Sequence, residues 1–289
     1  MNKKIFVSSS GIKIKDVEKN IKFLAKNGIK NIELSGGCTY SKNLTKKLIS
    51  LKHRYNLEFT IHNYFPPPKK NFVLNLGSCN TAHYNKTVSF YKKTINLCKK
   101  IGVKHYAMHA GFLIDIKPSE LGNKIEKRKL YSKEKSINQL IKGYKFLKKY
   151  SKGKVNLYLE NNVITKKNLK EYGDNPLLLT CYSDYLKLKK KFKFNLLLDL
   201  AHLKVSSRTL KKNFLNEVKK FQKYTKYAHI SGNDGHRDLN KTIQNDSQIK
   251  KSIKLLKNIS FATLEVYEEI KLIKQSKKIC EELFYLKKT

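Results

Sequence analysis

Short apolar segments alternate with longer lysine-rich segments along the chain. Eight of the short segments have the length and apolar composition of buried strands. They are residues 4–8, 31–35, 58–62, 105–109, 156–160, 195–199, 227–231 and 261–266. Between them, apolar side chains recur every three or four residues, which predicts amphipathic helices. The clearest of these segments are residues 17–27, 87–101, 137–150 and 218–224.

The repeated order of strand and helix predicts the fold class. Eight such units in a chain of 289 residues favour an α/β fold, a single (β/α)8 TIM barrel. An open doubly wound sheet usually has a glycine-rich phosphate turn after its first strand, and here the sequence SSSG stands there instead. No linker or change of composition marks a second domain, so we expect one domain over residues 1–289. The longest insertion, residues 112–132, follows the fourth strand and is expected to be an active-site loop.

The chain is strongly basic, with 62 Lys and Arg against 22 Asp and Glu and a formal net charge of +40. Only four of the basic residues are Arg, the residue that proteins favour for bidentate contacts to phosphate and guanine. Because the lysines are spread over every predicted helix, a generally solvated surface is favoured over a dedicated nucleic-acid face. The charge would still attract anions, including phosphorylated substrates.

Cysteine usage and the short apolar runs are typical of a cytoplasmic protein. The five Cys residues include no CxxC pair, which favours reduced thiols over disulfides or a zinc knuckle. No apolar run approaches the roughly 20 residues of a membrane span. The apolar stretch near the N-terminus is three residues long, and a secretory signal needs about 7–15. We therefore expect a cytoplasmic protein with no membrane partner.

Nearly every later strand ends in a side chain that can bind a metal or transfer a proton. In a parallel barrel the carboxyl ends of the strands lie on one face, where barrel enzymes carry their active sites. We therefore expect these side chains to lie together. They are His62, His109, Glu160, Asp199 with the nearby His202, His229 and Glu265.

Three of these residues are acids that follow apolar strand residues: Glu160, Asp199 and Glu265. Burying three carboxylates on one rim is costly, and a divalent cation is the simplest compensation. With His229 they form a mixed oxygen and nitrogen ligand set, which differs from the all-oxygen set that Ca²⁺ prefers. The predicted cofactor is a divalent metal, one of Mn²⁺, Zn²⁺, Co²⁺, Fe²⁺ or Mg²⁺.

These motifs resemble the xylose isomerase-like TIM-barrel superfamily, which includes sugar isomerases and epimerases, inosose dehydratases and type IV apurinic endonucleases. The resemblance covers roughly residues 6–266. Its landmarks are HNYFPPP at 62–68, NLGS at 75–78, MHAGF at 108–112, LENN at 159–162, LDLAH at 198–202, HISGNDGHRD at 229–238 and LEVY at 264–267. In the epimerase branch, the resemblance implies one divalent metal held by the matching Glu160, Asp199, His229 and Glu265. It also implies that His202 contacts substrate.

The endonuclease branch implies additional metal ligands. The resemblance matches His62 and His109 to two of them, so these histidines either hold a second metal or bind substrate by hydrogen bonds. A third zinc in that branch uses an Asp-x-His pair. Here the pair is Asp238 and Asn240, and Asn is a poor zinc ligand. The three-zinc nuclease site is therefore disfavoured.

The predicted function is a metal-dependent sugar or sugar-phosphate isomerase or epimerase that abstracts a proton next to a carbonyl and forms an enediolate. Glu160 and Glu265 are the predicted catalytic carboxylates. The predicted substrate contacts are His202, Asn162, Asp238 and Arg237. Two alternatives stay open: an inosose dehydratase-like lyase, and an apurinic endonuclease-type phosphodiesterase in DNA repair with nucleic acid as its partner. The sequence also leaves a homo-oligomer open.

Overall fold

Eight parallel strands close into a barrel in the order of the sequence. The ring is complete because β1 pairs with both β2 and β8. The strands are β1 Lys4–Ser8, β2 Asn31–Leu34, β3 Glu58–His62, β4 His105–His109, β5 Asn156–Glu160, β6 Asn195–Asp199, β7 Thr225–Ile230 and β8 Phe261–Leu264. The computed structural model describes residues 3–285. It confirms the predicted (β/α)8 barrel, and the ends of the predicted domain, residues 1, 2 and 286–289, lie outside the described residues.

The helices surround the barrel, and some of them begin earlier than the periodicity predicts. They are α1 Val17–Lys26, α2 Leu44–Tyr55, α3 Thr81–Ile101, α4 Lys133–Ser151, α5 Lys166–Tyr172, α6 Tyr182–Lys191, α7 Leu200–Thr209, α8 Phe214–Phe221, α9 Ser247–Leu255 and α10 Ile270–Tyr285. The predicted helix 87–101 begins at Thr81, because the side chain of Asn80 caps the backbone N–H of His83. Likewise Ser132 starts α4 by accepting from the N–H of Lys135. Apolar spacing locates the middle of a helix, and capping residues locate its start.

Alternate residues of the strands form two separate cores. One set packs with the helices around the barrel. The other set meets in a small buried cluster of Phe6, Ala107, Tyr158, Leu197, Tyr227 and Phe261. Because strand side chains alternate between faces, the residue two positions after a cluster member shares its face. Tyr158 therefore precedes Glu160 on the same face of β5, and Tyr227 precedes His229 on the same face of β7.

Asn75 holds the loop that follows β4. Its side chain is fully buried. The Nδ2 group donates to the carbonyls of Phe112 and Ile114 at 3.1 and 3.2 Å, and Oδ1 accepts from the N–H of Phe112 at 2.9 Å. Farther along the loop, the buried Glu120 pairs with both terminal nitrogens of Arg128 at 2.7 Å. These contacts fix the insertion over the carboxyl end of the barrel.

The cysteine thiols are unpaired, as predicted. Cys98, Cys181 and Cys280 are buried, and Cys38 and Cys79 are partly buried. Burial raises the pKa of the Cys38 thiol to about 11, so this side chain is an inert thiol at neutral pH. Over residues 3–285, none of the helices combines the length and apolar character needed to cross a membrane.

Candidate active site

Four side chains from separate strand ends meet at one point of the barrel interior. Glu160, Asp199, His229 and Glu265 each offer a ligand atom, and these atoms all lie within 4.8 Å of one another. His229 Nδ1 lies 3.3 Å from Glu160 Oε1 and 3.4 Å from Glu265 Oε2. The Oδ2 atom of Asp199 lies 3.9 Å from the same nitrogen. All four side chains are buried, so the structure brings together the set that the sequence predicts as metal ligands.

Two of the facing atoms have no hydrogen-bond partner among the described residues. Glu160 Oε1 and His229 Nδ1 are both buried and, although they lie 3.3 Å apart, form no hydrogen bond. A buried polar atom without a partner costs about 1–3 kcal/mol, and more for a charged group. A cation between these atoms would give both of them a partner. The donor set therefore fits a divalent metal ion.

The electrostatics of the cluster also favour a bound cation. Burial raises the pKa of Asp199 to about 7, and the charge of Glu160 adds to this shift while His202 opposes it. Burial also raises the pKa of Glu160, but the neighbouring His109 and His62 outweigh it and hold that pKa well below its ordinary value. The carboxylates therefore depend on nearby positive charge, which a divalent cation supplies.

A second group forms around the other oxygen of Glu160. His62 Nε2 lies 2.7 Å from Glu160 Oε2, and His109 Nδ1 lies 3.0 Å from the same atom. His62 Nδ1 is also 3.7 Å from Glu265 Oε1. The two histidines thus meet at one carboxylate oxygen, and both predicted roles, a second metal and substrate binding, would use these atoms.

The residues that match the third zinc site of the endonucleases, His202, Asp238 and Asn240, are hydrogen-bonded in this structure. His202 Nδ1 lies 2.8 Å from the carbonyl of Asn161, and its Nε2 lies 3.2 Å from Asp238 Oδ2. Asn240 donates to the same Asp238 oxygen at 3.5 Å. Both ring nitrogens of His202 therefore have partners. The other oxygen of Asp238, Oδ1, has no hydrogen-bond partner among the described residues.

The other two predicted substrate contacts differ in position. Asn162 borders the cavity, and its amide donates to the carbonyls of Gly111 and Leu178 at 2.9 and 2.7 Å, so it joins two loops. Arg237 is not among the residues that line the cavity. Its side chain is 73% exposed and pairs with Asp234 at 3.7 Å. Asp234 also accepts from the N–H of Arg237, and this turn leaves the guanidinium in solvent.

A cavity of about 420 Å³ opens above the cluster, a size that suits a small molecule. Its polar side includes His62, His109, His202 and Glu265. Its apolar side is formed by Phe112, Ile116, Ile125 and Leu177, so the predicted active-site loop does contribute to it. Among the described residues that line this cavity, none is Lys or Arg. The strong positive charge of the chain therefore lies elsewhere.

Glu33 on β2 lies outside the set predicted from the sequence. It is fully buried, and its Oε2 lies 3.2 Å from His229 Nε2. The signal that singles out Glu160, an acid within an apolar strand, is also present in the segment Asn-Ile-Glu-Leu at 31–34. Glu33 stands one residue before its strand ends, so a search confined to strand ends passes over it.

Comparisons with known proteins agree with this geometry. A sequence profile described as Xylose isomerase-like TIM barrel matches residues 21–287. No curated protein matches the chain. A D-tagatose 3-epimerase-like protein is a similar solved structure, with a TM-score of 0.73 and 17% identity over 97% of this chain and 96% of that chain.

Two further solved structures are similar over nearly the whole chain. A D-psicose 3-epimerase with D-tagatose from Clostridium cellulolyticum H10 has a TM-score of 0.62 and 14% identity, over 97% of this chain and 95% of that chain. An IolI protein with a zinc atom has a TM-score of 0.65 and 14% identity, over 97% of this chain and 98% of that chain. At these identities the structural likeness shows the fold.

Proposed function

Because the chain belongs to the xylose isomerase-like TIM barrel family, as its motifs predict, we propose that it is a metal-dependent isomerase or epimerase of an unphosphorylated sugar. The observation that carries this proposal is the buried group of Glu160, Asp199, His229 and Glu265 beneath a cavity of small-molecule size. Similar solved structures support it, since they include sugar 3-epimerases or epimerase-like proteins and an IolI protein with zinc.

The metal would be held by Glu160 Oε1, Asp199 Oδ2, His229 Nδ1 and Glu265 Oε2, the atoms that face one another. When bound, a divalent cation polarises a carbonyl oxygen and stabilises the negative charge of an enediolate. Asp199 would ligate through Oδ2 alone, because its Oδ1 accepts from the N–H of His202 at 2.7 Å and caps α7. The cap thereby orients this carboxylate.

The two catalytic carboxylates differ in their access to substrate. Glu265 borders the cavity and is 6% exposed, whereas Glu160 is fully buried. Glu265 would therefore remove the proton from the carbon next to the carbonyl. His62 lies between the two acids, 3.7 Å from Glu265 Oε1 and 2.7 Å from Glu160 Oε2. It would carry protons between Glu160 and the cavity, which His62 itself borders.

The lining of the cavity favours a neutral substrate. Phosphate groups are bound chiefly by Arg, Lys or clustered backbone N–H groups, and the described lining carries neither Lys nor Arg. The carboxylates of Glu265 and Asp238 would instead repel a phosphate. Asp238 borders the cavity, and its carboxylate would favour a sugar hydroxyl, which can donate a hydrogen bond, over a phosphate. The apolar side formed by Phe112 and Leu177 would contact the C–H face of the sugar.

We expect the metal-loaded protein to incorporate solvent deuterium into a free ketose. The protein is incubated in D₂O with D-tagatose or D-psicose and, separately, with their phosphorylated forms. Deuterium at the carbon next to the carbonyl is followed by NMR. Exchange should be at least about tenfold faster, in kcat/KM, with a free ketose. Faster exchange with the phosphorylated forms would contradict the neutral-substrate assignment. Conversion of the substrate into a product that has lost one water would instead identify the lyase.

The second candidate function is the apurinic endonuclease, which the group of His62, His109 and Glu160 favours. We expect little or no incision at an abasic site in duplex DNA. The site lacks the His that Asn240 replaces, and none of the described residues that line the cavity is Lys or Arg. Efficient incision that a chelator abolishes, and that is lost in Glu265→Gln, would reverse the ranking of the two functions.

A further inference from the structure

Glu33 contacts the edge of His229 that faces away from the proposed metal. His229 presents its two ring nitrogens in opposite directions. Its Nδ1 faces Glu160 and Glu265 at 3.3 and 3.4 Å, whereas its Nε2 lies 3.2 Å from Glu33 Oε2. Both Glu33 and His229 are fully buried, so water does not compete for this contact.

Hydroxyl groups hold the Glu33 carboxylate in place. Tyr227 donates to Oε2, and Thr263 donates to the same oxygen at 3.1 Å. Thr60 and Ser35 lie at 3.5 and 3.4 Å from its two oxygens. Three of these hydroxyl groups, those of Tyr227, Thr263 and Thr60, converge on Oε2. The same oxygen lies 3.2 Å from His229 Nε2, and the Tyr227 hydroxyl, which donates to this carboxylate, also lies 3.2 Å from that nitrogen.

We propose that Glu33 is a positioning residue, which keeps the proton of His229 on Nε2 and directs the Nδ1 lone pair at the metal. This inference rests on the proposed metal site. A metal-bound histidine commonly donates its other N–H to a carboxylate, which fixes the ring and raises its basicity as a ligand. Here the carboxylate comes from β2, on the other side of β1 and β8 from the strand that carries His229.

The proposal is tested by metal affinity in matched variants. Glu33→Gln keeps the length of the side chain and removes its charge, whereas Thr263→Val removes a hydroxyl that bonds the same carboxylate and leaves the contact of Glu33 with His229. We expect Glu33→Gln to weaken Zn²⁺ binding about 10- to 100-fold by isothermal titration calorimetry. Thr263→Val should stay within about threefold of wild type. Equal loss in both variants, or no loss in Glu33→Gln, would overturn the proposal.

A spectroscopic measurement on the wild-type protein makes the test independent of variant folding. In Zn²⁺-loaded protein labelled with ¹⁵N-histidine, His229 should bind metal through Nδ1 and retain a proton on Nε2. The signals are assigned by their absence in His229→Asn. Coordination through Nε2 would overturn the proposal. If wild-type protein binds no Zn²⁺, Mn²⁺ or Co²⁺, the proposed function fails as well, whereas normal binding with unaffected Glu33→Gln contradicts the role of Glu33 alone.

Discussion

Replacing Glu265 by Gln is expected to lower the rate of deuterium exchange into a free ketose by roughly 10²-fold or more, the loss typical of a missing general base. Glu265 is the buried acid of the metal group that borders the cavity, so it is the carboxylate with direct access to a carbon-bound proton. The Gln side chain keeps an oxygen for the metal but cannot accept the proton. The expected loss should therefore appear in kcat at saturating metal.

The matched control is Glu58→Gln. Glu58 starts β3 at the amino end of the barrel and pairs with Lys4 on the surface at 2.7 Å. Its replacement should leave exchange unchanged. Glu160→Gln should also suppress exchange by roughly 10²-fold or more, because its carboxylate contacts His62 as well as the proposed metal. If Glu265→Gln exchanges at the wild-type rate with full metal occupancy, Glu265 is not the base.

Replacing Asp199 by Ala is expected to remove most of the bound metal. The substitution deletes a charged ligand from a buried group, and we expect the metal affinity to fall by more than the roughly 10- to 100-fold that loss of an outer-shell partner causes. Elemental analysis after dialysis measures the stoichiometry directly. Since Asp199 also caps α7, thermal unfolding of the variant should be recorded alongside.

Asp16→Ala provides a matched control for the lost cap. Asp16 caps α1 through the N–H of Lys19 at 2.8 Å, on an exposed part of the chain. Loss of either cap should cost about 1 kcal/mol of stability, but only Asp199→Ala should lose metal. Full metal content in Asp199→Ala would contradict the ligand assignment. Asp199→Asn, which keeps the cap, separates charge from capping.

The barrel could be predicted from the sequence because its signal is repeated. Each strand is a short apolar run, and polar residues such as Glu160 and Asp199 stand at the end of their strands. Once the strands are parallel, topology alone brings those ends together. This is why residues distant in sequence, such as His62 and Glu265, could be assigned to one site without contact information.

Other features could not be predicted because they depend on side-chain direction. The composition favours attraction of anions, yet no Lys or Arg of the described lining faces the cavity. The single Arg within the motif at 229–238, Arg237, is turned outward by the Asp234 turn. Glu33 has the same local signal as Glu160, an acid within an apolar strand, but its partner His229 lies 196 residues away, so the sequence does not show that the two side chains meet.

We propose that a metal held by Glu160, Asp199, His229 and Glu265 enables proton exchange on a sugar. The most direct measurement follows deuterium incorporation into D-tagatose or D-psicose by one preparation, first stripped with a chelator and then refilled with Mn²⁺, Co²⁺ or Zn²⁺. We predict that exchange disappears on stripping and returns with about one equivalent of metal. Exchange that persists in verified metal-free protein, or a sugar that is converted with no solvent exchange, would contradict a metal-dependent proton transfer.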